Sequence, residues 1–140
     1  ADRIKALETN ILFTAQLLEF KPTWFIFAST CEEPTNVYGY SKRAAEDYIR
    51  LRHPRHIIMR LVNVYGPGMK EDKLLPMVRN GADIGPKALP FEYVNVDDVV
   101  KHIGFLVSEF NREDFKSYTM KLSSGIAKTE KQLRHVATSY

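Results

Sequence analysis

Tyr38 and Lys42, which lie four residues apart, are the two side chains in this chain best suited to chemistry. On a helix, residues at this spacing share one face, about one turn apart. A phenol with a pKa near 10 is a poor base at neutral pH, whereas a fixed ammonium group beside it favours the phenolate. The pair can therefore exchange a proton with a substrate hydroxyl. Because Tyr and Lys also meet at this spacing by chance, the interpretation depends on the elements around them.

The composition is that of a single domain-sized chain. It has 140 residues, of which 44% are hydrophobic, enough to bury a core. Lys and Arg together number 20 against 17 Asp and Glu, a small and scattered excess that gives no sign of a nucleic-acid partner. The single cysteine, Cys31, excludes an intrachain disulfide and is typical of a reducing compartment.

The sequence shows no apolar run long enough to span a bilayer and no signal-peptide pattern at its start. We therefore expect a soluble, cytoplasmic protein with no membrane partner. The four histidines lack Cys or carboxylate partners at zinc-like spacing, so no metal site is expected.

Helical and strand-like segments alternate along the chain. The apolar patterns predict helices over residues 3–20, 38–51, 71–80 and 99–110, with a last helix opening at Thr129. They predict strands over residues 24–28, 56–63, 91–96 and 118–122, a loop over 81–90 and a turn at 123–125. Asp97 or Asp98 is the predicted cap of the fourth helix. This alternation predicts an α/β fold with a mainly parallel sheet.

Polar residues follow two of the predicted strands. Ser29 and Thr30 end the first strand, Asn63 ends the second, and Tyr38 lies where a helix begins. In parallel sheets, ligands bind beyond the carboxyl ends of the strands. We therefore expect these residues to converge on one cleft.

Several segments, in order along almost the whole chain, carry a resemblance to a known family. They are Asn10 with Thr14 and 17–19, the strand 25–30, Tyr38-Gly-Tyr-Ser-Lys42 with Glu46, the segment Arg60-Leu-Val-Asn-Val-Tyr-Gly-Pro-Gly68, 91–98, and 118–125 followed by Thr129. Together they resemble the extended short-chain dehydrogenase/reductases of the NAD-dependent epimerase/dehydratase type, which act on nucleotide sugars. The resemblance implies a Rossmann-like fold with flanking helices and NAD or NADP as cofactor.

The resemblance also implies a role for each matching residue. Tyr38 would be the acid/base that takes a proton from a sugar hydroxyl, and Lys42 would bind the nicotinamide ribose and lower the pKa of Tyr38. Thr30, or failing that Ser29, would hydrogen-bond the reacting sugar oxygen. Asn63 would bind the substrate diphosphate or sugar. Arg60 would either bind a phosphate or pair with a buried carboxylate.

Glu32 narrows the reaction type. Ala28-Ser-Thr-Cys-Glu32 resembles the Ser-Thr-x-Glu form of the family's 4,6-dehydratases and nucleotide-sugar decarboxylases, in which the Glu acts as a catalytic acid or base. Some dehydratases have Asp where this chain has Cys31, and a thiol replaces that acid poorly. The alternative to a catalytic Glu32 is that Glu32 and Glu33 are solvated charges of the loop. An epimerase reaction therefore remains a second interpretation.

The chain departs from the family in two places. No Gly-rich turn for the cofactor pyrophosphate occurs, and only seven residues separate Thr30 from Tyr38, where the family has a longer segment. Residues 1–140 are therefore interpreted as one partial domain, the C-terminal portion of such an enzyme, without its first βα units. The chain would belong to a longer protein, to an enzyme completed by another chain, or to a catalytically silent subunit of a larger assembly. The resemblance also implies a homodimer.

Overall fold

The computed structural model describes residues 2–140, which divide into two compact units. The first comprises residues up to Leu61 together with Val107–Lys121, and the second comprises Val62–Leu106 with Leu122–Tyr140. The elements alternate as predicted, which confirms the α/β class. The sequence did not predict that the strands divide between two three-stranded sheets.

The sheet of the first unit has the strand order β1-β2-β5. Strands β1 (Phe25–Thr30) and β2 (His56–Leu61) are parallel, with Phe25 opposite His56 and Thr30 opposite Leu61. Strand β5 spans Tyr118–Leu122. The predicted strands at these places are confirmed, although the strand predicted over 56–63 ends at Leu61.

Helical residues precede and follow β1. Helix α1 (Arg3–Leu7) leads through a π-helical turn (Glu8–Leu12) into α2 (Phe13–Glu19), where a single helix was predicted. Helix α3 spans Val37–Arg52. The apolar core of this unit joins α2 and α3 to the two parallel strands and consists of Leu18, Phe27, Ala45, Ile49 and Ile58. That burial is the main force holding α3 against β1.

The second unit contains the strand order β3-β4-β6. Strands β3 (Asn63–Tyr65) and β4 (Phe91–Asn95) are parallel, and β6 (Gly125–Ala127) is antiparallel to β4. A turn was predicted around residue 125, so β6 is a correction. Three residues are too few to show an alternating pattern.

The helices of the second unit are α4 (Leu74–Arg79), α5 (Val96–Glu109) and α6 (Glu130–Ala137). Thr129 caps α6 as predicted, in a capping box with Gln132. The predicted cap of α5 is wrong, because the helix begins at Val96 and places Asp97 and Asp98 in its first turn. The Asn95 side chain accepts the hydrogen bond from the Asp97 amide instead, at 2.8 Å.

Candidate active site

A short connection carries the chain from the end of β1 to the start of α3. The side chain of Asn36 caps α3 by accepting the Gly39 amide at 2.8 Å. A Cβ atom on Gly39 would lie 2.5 Å from the Glu33 carbonyl oxygen, so only glycine lets the connecting loop pass this close to the helix. The cap and the glycine together fix where the first turn of α3, and therefore Tyr38, lies relative to the loop.

Tyr38 and Lys42 occupy successive turns of α3, as predicted. The Lys42 Nζ atom lies 6.0 Å from the centre of the Tyr38 ring and 4.9 Å from the centre of the Phe27 ring. It also donates a hydrogen bond to the Ala28 carbonyl oxygen at 3.0 Å. Burial lowers the pKa of Lys42 below its ordinary value. The ammonium group is thus held between α3 and β1, beside the phenol but bonded to the strand.

The expectation that Lys42 lowers the pKa of Tyr38 remains a prediction, and two other influences on the phenol act in the opposite direction. Burial, and to a lesser extent the negative charge of Glu32, raise the pKa of Tyr38 above its ordinary value. Both influences disfavour the phenolate, because burial removes water from the charged form and the Glu32 carboxylate repels it. Tyr38 nevertheless stays 46% exposed, so a substrate hydroxyl can reach it.

Thr30 and Glu32 lie next to each other at the carboxyl end of β1. The Thr30 Oγ1 atom accepts a hydrogen bond from the Glu32 amide at 3.1 Å, and the Thr30 hydroxyl proton can still be donated. The exposed Glu32 carboxylate accepts a hydrogen bond from the Asn36 side chain at 3.5 Å. Its influence on the pKa of Tyr38 places Glu32 in the electrostatic surroundings of the phenol. Thr30 and Glu32 on the strand side, and Tyr38 and Lys42 on the helix side, form the candidate site.

Ser29 is not available as the alternative to Thr30. Its side chain is only 5% exposed, and its Oγ atom donates to the Glu46 carboxylate at 2.5 Å. Successive strand residues point to opposite faces of a sheet, so Ser29 and Thr30 cannot serve the same site. The geometry therefore favours Thr30 over Ser29 as the catalytic hydroxyl, and Ser29 donates within the fold instead.

Of the two roles considered for Arg60, the structure shows the ion pair with a buried carboxylate. Arg60 Nη2 and Nε donate to the two oxygens of Glu46 at 2.6 and 3.0 Å. Burial on its own raises the pKa of Glu46, but the hydrogen bonds from Arg60 and Ser29 outweigh it and lower that pKa below its ordinary value. Phosphate binding by Arg60 would have to break this pairing.

Asn63 belongs to the second unit, whereas Tyr38 and Thr30 belong to the first. It is the first residue of β3, it is exposed, and its Nδ2 atom donates to the Glu92 carbonyl oxygen at 2.8 Å. Its predicted role as a substrate ligand, and the predicted convergence with Tyr38 and Thr30, remain predictions.

Sequence reasoning assigned no role to Asn10, which the structure places behind the site. The π-helical turn holds Asn10 8% exposed, with its Nδ2 atom donating to Ser41 Oγ at 2.9 Å. Ser41 in turn donates to the Tyr38 carbonyl oxygen at 2.8 Å. The one signal in the sequence was a polar residue on the buried stripe of an otherwise apolar helix face.

Within residues 2–140, no group of three or more His, Cys, Asp or Glu side chains is arranged to hold a metal ion. No helix in that same part of the chain has the length and apolar character needed to cross a bilayer.

The family model "NAD dependent epimerase/dehydratase family" matches residues 2–119. Since that match covers most of the chain, the chain belongs to this family, and the resemblance found in the sequence is confirmed. No curated protein sequence matches it.

Solved structures show the same fold over about half of their own length. UDP-glucose 4-epimerase from Thermotoga maritima, solved with UDP-glucose, has 23% identity and a TM-score of 0.74, with 97% of this chain and 54% of that chain covered. dTDP-glucose 4,6-dehydratase from Bacillus anthracis, solved with NAD, has 19% identity and a TM-score of 0.72, with 99% and 54% covered. RMD from Pseudomonas aeruginosa, solved with NADPH, has 18% identity and a TM-score of 0.72, with 97% and 61% covered.

Proposed function

We propose that this chain carries the proton-transfer residues of an NAD(P)-dependent nucleotide-sugar enzyme: a 4,6-dehydratase, a decarboxylase or an epimerase. The observation that carries the proposal is the arrangement at the end of β1, where Lys42 is anchored to the strand beside the half-exposed Tyr38. Membership of the NAD-dependent family and the nucleotide sugars named for similar structures support it. Because the chain spans about half of those structures, the activity is proposed for a longer, complete enzyme.

The residues at the site fit one end of a dinucleotide cofactor. An ammonium group has three N–H donors, and the bond from Lys42 to Ala28 uses one of them, which leaves donors for the hydroxyls of a ribose. Bound NAD(P) supplies a hydride acceptor. The residues that hold a pyrophosphate, a Gly-rich turn, do not occur in this sequence.

The chain's own side chains divide the acid–base work. As the phenolate, Tyr38 accepts the proton of the sugar hydroxyl while the hydrogen on the same carbon leaves as a hydride, which bound NAD(P) would accept. Thr30 donates a hydrogen bond to the reacting sugar oxygen and holds that oxygen near the phenol of Tyr38. In a dehydratase or decarboxylase, Glu32 serves as the second acid or base. In an epimerase Glu32 is a loop charge that adds to the effect of burial in raising the pKa of Tyr38.

A catalytically silent subunit of a larger assembly is the second candidate. The observation that favours it is the raised pKa of Tyr38, since a phenol that holds its proton more tightly is a weaker starting point for base catalysis at neutral pH. The silent subunit would keep the fold without turnover.

The test is turnover by the full-length protein with UDP- and dTDP-sugars, each in the presence of NAD and of NADP. The proposal predicts loss of water, loss of carbon dioxide or inversion of a sugar centre with at least one of them. No conversion and no thermal protection by any nucleotide sugar or dinucleotide, with a protein that purifies only in complex with partners, would favour the silent subunit instead.

A further inference from the structure

The buried carboxylate of Glu46 joins the helix that carries Tyr38 to the strand that carries Thr30. Glu46 lies on α3, one turn after Lys42 and two turns after Tyr38. It is 1% exposed. Its Oε1 atom accepts from Ser29 Oγ at 2.5 Å, and Ser29 is the residue before Thr30 on β1. The hydrogen bond from Ser29 to Glu46 therefore links the strand position next to Thr30 to α3, the helix that carries Tyr38.

The same carboxylate also bonds to β2. Arg60 donates from Nε and Nη2 at 3.0 and 2.6 Å, a bidentate arrangement that fixes direction as well as distance. Arg50 Nη2 donates at 3.1 Å and also reaches Thr119 Oγ1 on β5 at 2.9 Å. Glu46 and Arg50, one turn apart on α3, thereby bond the helix to all three strands of the sheet.

Only a carboxylate satisfies this set of neighbours. Glu46 is the acceptor in all four of these hydrogen bonds, and an ionised carboxylate offers only acceptors. Glutamine in its place would turn an N–H donor towards either Nε or Nη2 of Arg60, which have no acceptor to offer it. Because burial leaves no water to relieve that conflict, the helix or the strand has to shift.

We infer that Glu46 is a positioning residue that sets the separation of Tyr38 and Lys42 from Thr30, and this inference rests on the proposed function. Apolar packing alone presses α3 onto the sheet without a unique position along it. The directional bonds from β1 and β2 to Glu46, with the bond from Arg50 to β5, define one position. Proton transfer between Tyr38 and a hydroxyl held by Thr30 is sensitive to that position, since a misplacement of about 1 Å can cost on the order of 100-fold in rate.

The test compares Glu46→Gln with Asp47→Asn in the full-length enzyme. Both changes remove one negative charge from α3, but the Asp47 side chain is 81% exposed and pairs only at its surface with Arg50. We expect Glu46→Gln to lower kcat at least about 10-fold, with KM for the nucleotide sugar and Kd for the dinucleotide within about 3-fold. Asp47→Asn should leave kcat within about 2-fold.

The rates are measured well below the melting temperature of each variant and scaled by the fraction of folded protein. A purely structural role would lower the melting temperature of Glu46→Gln while its folded fraction kept the wild-type kcat, and that result would overturn the inference. If Glu46→Gln does not fold, Ser29→Ala replaces it, because the Arg60 pair with Glu46 stays intact. A fall in kcat of about 3-fold or more then supports the inference, and an unchanged kcat refutes it.

The wild type and Tyr38→Phe serve as reference. If Tyr38→Phe keeps full turnover, the proposed function fails. If Tyr38→Phe is inactive and Glu46→Gln is fully active, the proposed function stands and only the positioning role of Glu46 is wrong.

Discussion

Replacing Arg60 by Met should leave a buried, poorly compensated carboxylate, with a large effect on stability at neutral pH. The Glu46 side chain is 1% exposed and would lose the two hydrogen bonds from Arg60, one of them 2.6 Å long. Removing one partner of a buried ion pair costs about 3–5 kcal/mol, and Arg50, which still pairs with Glu46 at 3.1 Å, keeps the loss towards the lower end of that range. We expect the free energy of unfolding at pH 7 to fall by about that amount.

The loss should shrink as the pH falls. In the wild type, the pKa of Glu46 is lowered in the folded state, so the stability that Glu46 contributes is present above its unfolded pKa and is lost as the pH falls through the folded pKa. In the variant, burial is opposed by fewer donors and raises the pKa of Glu46. A raised carboxyl pKa makes folding take up a proton. Below about pH 5, the free energy of unfolding of the variant should therefore approach that of the wild type.

The measurement is urea unfolding of both proteins from pH 4 to pH 8, followed by the fluorescence of Trp24, the single tryptophan of the sequence. Arg134→Met is the matched control, because Arg134 pairs with Glu130, which is 59% exposed, and should cost no more than about 1 kcal/mol. Equal losses for both variants, or a loss for Arg60→Met that does not change with pH, would refute the reasoning.

Three further predictions concern the site and its supports. Glu32→Gln removes one of the two causes that raise the pKa of Tyr38, so the rising limb of the pH–rate profile should move to lower pH; an unmoved limb would show that Tyr38 does not titrate there. Thr30→Val should lower kcat by about 10-fold or more with dinucleotide affinity nearly unchanged, and equal losses in both would contradict its role in holding the sugar oxygen. Gly39→Ala should lower the melting temperature, since its Cβ would lie 2.5 Å from the Glu33 carbonyl oxygen. Gly104→Ala, in open space on α5, is the control and should raise the melting temperature. The opposite order would be inconsistent with the close approach of the loop to Gly39.

The elements that carry the site could be predicted because their signals are local. Helix α3 was predicted from apolar positions at helical spacing, and α6 from Thr129 as its opening residue. The cap of α5 was misplaced because several short polar residues compete there, and the sequence does not say that Asn95 turns its side chain onto the helix.

The roles of Ser29, Arg60 and Glu46 could not be predicted from local signals. Alternation along β1 says that Ser29 and Thr30 face opposite ways, but only the packing of α3 decides which of them is buried. Glu46 looks like a solvated charge until its three donors, two of which lie more than ten residues away, are placed around it. The raised pKa of Tyr38 likewise follows from burial and from the nearby charge of Glu32, which depend on how the loop after β1 packs.

The central claim is that the phenol of Tyr38 exchanges the proton of the sugar hydroxyl, and Tyr38→Phe against Tyr40→Phe tests it most directly. Tyr40 lies on the same helix and is 58% exposed, so both variants lose one accessible hydroxyl from α3. In the full-length enzyme, we expect Tyr38→Phe to lower kcat by about 100-fold or more with dinucleotide affinity nearly intact, and Tyr40→Phe to stay close to wild type. Wild-type kcat in Tyr38→Phe, or equal losses in both variants, would contradict the claim.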